Sequence, residues 1–226
     1  MLKQRISNDL SRVNLLVIAA AYFKKKSELV STLSERLRRR LILLAKTFPA
    51  DLERLAKAAK ERRERISERR ALVRTLRFAI RDAQMGLIRH ARRHEEAPEG
   101  LATYLIPEQR EQISLKSNEW FELARDLIGH NERFKDSQKL TNPSIEELKQ
   151  RLHEAECSSW KADAAVEAYK EARQQVAWSR TQAQAVIGQL NAELNYQLRE
   201  QGRASHIETM QRFGFRWYEP ACHCGK

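Results

Sequence analysis

The chain has 226 residues, 42% hydrophobic and 32% charged, with seven glycines and five prolines. That is enough apolar matter for a core, which argues against a disordered chain, and so little punctuation argues against an array of many short strands. The net charge of +12 sits at the front: residues 1–100 hold 25 Lys and Arg against 12 Asp and Glu, and the remainder hold 17 against 18. The first half is therefore the part suited to a polyanion. Three cysteines, an odd number in a chain of this length, point to a reducing compartment and a cytoplasmic location rather than a disulfide framework.

In chain order, the first feature is LLVIAAAYF at 15–23, preceded by Lys3, Arg5 and Arg12 and followed by Lys24–Lys26. The run is too short to span a bilayer. It has the make-up of a signal-peptide core with AAA as a cleavage site. The preferred reading is a retained helix segment, buried on most sides.

Prolines serve as fences, because proline is tolerated in the first turn of a helix and breaks an interior. Pro49, Pro98, Pro107 and Pro143 then divide the chain into four helices near 7–47, 51–94, 108–140 and 144–201. Their lengths would be roughly 60, 65, 50 and 85 Å. Each carries an apolar seam with a seven-residue repeat. The first is Leu16, Phe23, Val30, Leu37 and Leu44; the second is Leu52, Ala59, Ile66, Val73, Ile80 and Leu87. The third is Ile113, Trp120, Leu127 and Phe134; the fourth is Leu148, Ala155, Ala162, Tyr169, Val176, Ala183 and Leu190, with Leu152, Val166, Ile187 and Leu194 beside it. Such seams want facing helices. Asp51 is a cap for the second helix; for the fourth, either Asn142 caps with Pro143 behind it, or Ser144 and Glu147 form a capping box.

The expected fold is all-α: an elongated antiparallel bundle of about four long, coiled-coil-like helices, ending in a short C-terminal helix and an extended aromatic tail. It would form a single domain over 1–211, from a hairpin 7–94, a loop 95–107 and a hairpin 108–201, with 212–226 as the tail. No strand pattern precedes residue 213.

The second helix presents a basic face over residues 54–93. Taking 100° per residue, Arg63, Arg70, Arg74, Arg77, Arg81 and Arg92 fall within about a 60° arc, and no Asp or Glu shares it. Arginine suits phosphate, because its planar fork never loses its charge in the useful range. The same pattern fits an acidic membrane surface. It also fits a plain solvated face, or one paired with acidic residues of another subunit. Arg62 and Arg69 stand in the row that should meet a partner helix, where a charge either snorkels out or pairs with a carboxylate.

Catalytic patterns are missing. The P-loop, G-x-G-x-x-G and G-x-S-x-G motifs are absent, and none of the six histidines has a glutamate three positions before it, which removes the usual di-iron ligand set. His90 and His94 share a helical face, but Arg89, Arg92 and Arg93 around them repel cations. His153 with Glu156 or Cys157 makes a dyad without a third, orienting group. No enzyme activity, cofactor or small-molecule substrate is therefore expected.

The chain ends RFGFRWYEPACHCGK. RFGF is similar to the aromatic-glycine core of the RNA-recognition motif, but that motif needs a central strand in a four-stranded sheet, and no such sheet is expected. Cys222, His223 and Cys224 supply metal donors, yet adjacent positions seldom close on one ion, so no metal is expected unless subunits share them. Phe213, Phe215, Trp217 and Tyr218 read as an aromatic latch. It either folds back on its own bundle or docks on another chain, with Gly202 and Gly214 as hinges around a short helix at 203–213. The leading expectation is a non-catalytic scaffold or assembly subunit that binds a protein partner or itself through helix faces and this tail. A nucleic-acid-binding protein using the arginine face comes second, and a membrane-acting protein third.

Overall fold

The computed structural model describes residues 3–4, 8–25, 33–94, 117–132, 140–200 and 202–218. The fold is all-α, as the heptads require. The helices are α1 (Asp9–Lys25), α2 (Glu35–His94), α3 (Ser117–Asn131), α4 (Ile145–Gln197) and α5 (Arg203–Arg212). Two short strands, β1 (Lys3–Gln4) and β2 (Trp217–Tyr218), pair antiparallel with Lys3 opposite Tyr218 and Gln4 opposite Trp217. This pairing places a strand well before residue 213, where none was expected.

The chain divides into two compact units, Met1–Ala59 with Tyr169–Lys226, and Lys60–Ala168. The boundary runs through α2 and α4, and so through both of the hairpins read from the sequence. In the first unit Leu16, Phe23, Leu37 and Leu44 of the first seam are buried with Val176, Ala183 and Leu190 of the fourth. In the second, Val73, Ile80 and Leu87 of α2 are buried with Trp120 and Leu127 of α3 and Leu148 and Ala155 of α4. Val30, Ile113 and Phe134 lie outside the described residues. Leu52, Ala59 and Ile66 are only half-buried, so the second seam is dry only from Val73 onward.

Pro49 is not a fence. It lies inside α2, which runs from Glu35 through to His94. An interior proline costs about 3 kcal/mol through its missing N–H and its clash with the preceding turn. The residues around it oppose a break: Leu41, Leu44 and Phe48 are buried, and Leu52 and Leu55 pack against the same core. Asp51 is accordingly no N-cap. It sits mid-helix, and its Oδ2 accepts hydrogen bonds from Ser179 Oγ at 2.5 Å and Gln175 Nε2 at 3.3 Å. The true start of α2 follows Ser34, whose N–H and Oγ donate to the two carboxylate oxygens of Glu193 at 3.1 and 3.0 Å.

At the start of α4 the capping-box alternative holds in half. Ser144 Oγ accepts the N–H of Glu147 at 3.1 Å, while the Glu147 carboxylate turns forward to Arg151 rather than back. LLVIAAAYF lies within α1. Leu15, Leu16, Ala19, Ala20 and Phe23 are buried, and Val17 and Ile18 look outward. Among the described residues no helix is long and apolar enough to cross a membrane.

Candidate functional site

The described start of the aromatic tail, through Phe213 and Phe215, folds back on its own unit. Phe213 and Phe215 are 0% and 1% exposed, so of the two alternatives for the latch these rings take the fold-back one and offer no surface for docking. The Phe213 ring centroid lies 4.7 Å from that of Tyr22 and 5.4 Å from that of Phe23, both in tilted or edge geometry, the arrangement that ring quadrupoles favour. Gly214 is no hinge either. The Gly214 N–H donates to the Gln211 carbonyl at 2.9 Å, and the Phe215 N–H donates to the Met210 carbonyl at 3.1 Å. With Gly214 at φ 90° this is a Schellman closure of α5, and buried Met210 and Phe215 supply its usual apolar contact. A Cβ on Gly214 would come within 3.3 Å of Ile18, so glycine also lets the turn lie flat on α1. Trp217 and Tyr218 form β2, but their side chains lie outside the described residues, as do Cys222, His223 and Cys224.

The arginine face lies on α2, within the unit Lys60–Ala168. Arg63, Arg70, Arg74 and Arg81 are exposed, and among the described residues none of their side chains makes an ion pair or hydrogen bond. On an ideal helix Arg63 and Arg81 are roughly 27 Å apart. Other arginines of the same stretch are engaged. Arg65 Nη1 donates to Glu68 at 3.0 Å, and Arg69 Nη1 donates to Asp163 Oδ1 of α4 at 3.2 Å. Arg69 thus answers the charge in its row by pairing across the helix interface.

Arg77 departs from its neighbours. It is half-buried, and its guanidinium carbon lies 5.1 Å from the centre of the Trp120 ring. Its charge is held over an aromatic face, so it belongs to the packing of α2 on α3. The Arg92 side chain lies outside the described residues, as do those of His90 and His94.

Two residues of this face have no counterpart in the heptad seams. Phe78 is 55% exposed and Met85 is 49% exposed. Each stands one helical turn after an arginine, Phe78 after Arg74 and Met85 after Arg81, which places them beside the basic row. A sign was present in the sequence: neither position falls on the Val73–Ile80–Leu87 seam, so neither has a facing helix to cover it.

The remaining chemistry is thin. His153 and Cys157 do meet, Nε2 to Sγ at 3.5 Å, on the surface of α4, and among the described residues neither has another hydrogen-bond partner. No group of three or more His, Cys, Asp or Glu among the described residues could hold a metal. Comparison with known protein families, with curated proteins and with solved structures finds no match for this chain.

Proposed function

We propose that the protein is a non-catalytic helical protein of a reducing, cytoplasmic compartment that binds nucleic acid along α2. One observation carries the reading: Arg63, Arg70, Arg74 and Arg81 stand in one exposed row with no carboxylate partner among the described residues. Like charges in a row repel one another, and a polyanion relieves that repulsion while releasing its own counterions. Four phosphate contacts give a slope of log K on log salt of about −2.8 for a single strand and about −3.6 for a duplex. Affinity should then fall roughly 50- to 150-fold between 50 and 200 mM salt. The joint change Arg70→Glu, Arg74→Glu and Arg81→Glu should lower affinity about 100- to 1000-fold and flatten the salt slope. Gel-shift titration at several salt concentrations checks both, and an unretarded oligonucleotide at low salt with the wild-type protein defeats the proposal.

The assembly-subunit reading moves from the tail to α4, where Trp160 is 85% exposed and Trp178 is 58% exposed. Aromatic side chains left in water are the usual anchors of protein interfaces. This reading expects a defined oligomer by light scattering that dissociates on Trp160→Ala; a monomer at every concentration would dismiss it.

A further inference from the structure

The basic face has two edges that differ in chemistry. Along one run Arg63, Arg70, Arg74 and Arg81, all exposed. Along the other stand exposed Phe78 and Met85. On an ideal helix Phe78 lies about 60° and Met85 about 40° around the axis from Arg63 and Arg81, and the two are about 10 Å apart along it. Exposed Asp82 lies beyond Phe78, on the side away from the arginines, and closes that edge to phosphate.

A duplex would engage the arginines and leave the Phe78 ring without a stacking partner, because paired bases are already stacked. A membrane would need a broad apolar face, and α2 has none to give: Val73, Leu76, Ala79, Ile80, Ala83 and Leu87 are buried in the core of their unit. A strand of unpaired nucleotides fits both edges at once. Its phosphates follow the arginine row, and its bases turn over Phe78 and against the Met85 thioether.

We infer that the face is a site for single-stranded nucleic acid, with Arg63, Arg70, Arg74 and Arg81 on the phosphates and Phe78 as a base-stacking platform. The inference rests on the proposed nucleic-acid binding and names its substrate class. Phe78 sets the preference for unpaired bases; the arginines set overall affinity. Sequence preference should be slight, because every base has a π-face.

The test measures binding of the full-length protein to a single-stranded oligonucleotide, the same sequence as a duplex, inorganic polyphosphate, and vesicles rich in phosphatidylserine. The expected order places the single strand tightest. Phe78→Ala should weaken single-strand binding about 5- to 150-fold while leaving polyphosphate binding and the salt slope unchanged. Phe78→Trp should preserve single-strand binding. Unaltered helical circular dichroism certifies each variant, since an exposed ring contributes little to the fold. Equal losses on single strand and duplex, or no loss on either, overturn the stacking role while the arginine-dependent binding stands. Vesicle binding with no retention of any oligonucleotide overturns both.

Discussion

In the unit formed by Met1–Ala59 and Tyr169–Lys226, Arg180 sets Nε and Nη2 on the two oxygens of Asp9 at 2.8 and 2.6 Å, and Arg12 Nη1 joins them at 2.8 Å. In the unit formed by Lys60–Ala168, Arg70, Arg74 and Arg81 face water with no such partner among the described residues. The phenylalanines differ in a related way. Phe23, Phe48, Phe213 and Phe215 are all buried in the first unit; in the second, Phe121 is buried and Phe78 stands outside. The second unit also uses such residues for its fold, in Arg69 on Asp163, Arg77 over Trp120 and buried Phe121, but it carries besides them a row of arginines and a ring that its own packing leaves in water. A side chain that the fold does not use, kept beside others like it, is the better guide to function.

The largest effect should come from Phe213→Ala. It empties a site packed by Tyr22 and Phe23 and should cost about 3–5 kcal/mol, seen as a lower urea midpoint. A loss below about 1 kcal/mol would mean that the tail is not part of the core it is buried in.

Asp9→Asn should do less. The two-pronged Arg180 contact, aided by Arg12, holds the Asp9 carboxyl below its ordinary range against the opposing effect of burial. Because the folded-state value is depressed, the stabilisation is present above the unfolded-chain value of about 3.9 and is lost as pH falls through the folded-state value. Arg180 is about half exposed, so about 0.5–1 kcal/mol at neutral pH is the appropriate scale. Wild type and variant should converge in urea titrations once the pH has fallen through the depressed folded-state value of Asp9. A gap that persists there would assign the effect to packing rather than charge.

The smallest effect sharpens the contrast from the other side. The Arg70, Arg74 and Arg81 variant that loses nucleic acid should unfold within about 0.5 kcal/mol of the wild type, because those side chains touch nothing the fold relies on. A large loss of stability would make them structural and weaken their claim on a ligand.

Much of this was legible in the residues alone. A heptad is a local property of the chain: side chains seven apart return to one stripe whatever lies opposite, so the seams through Leu16, Val73, Leu148 and Val176 could be read without any partner in view. The single arc of Arg63, Arg70, Arg74 and Arg81 follows from the same geometry. The Ser144 cap needed only its neighbour three residues on. Contacts between distant residues were beyond that reach. Whether Pro49 stops a helix depends on Phe48 and Leu52 finding the same core, and on Ser179 meeting Asp51 from 128 residues away. Whether Phe213 is a latch for a partner or a plug for its own unit depends on Tyr22 and Phe23 waiting at the far end of the sequence. Periodicity sets which face of a helix is oily or charged. Only packing decides which of those faces is covered, and therefore which remains for something else to bind.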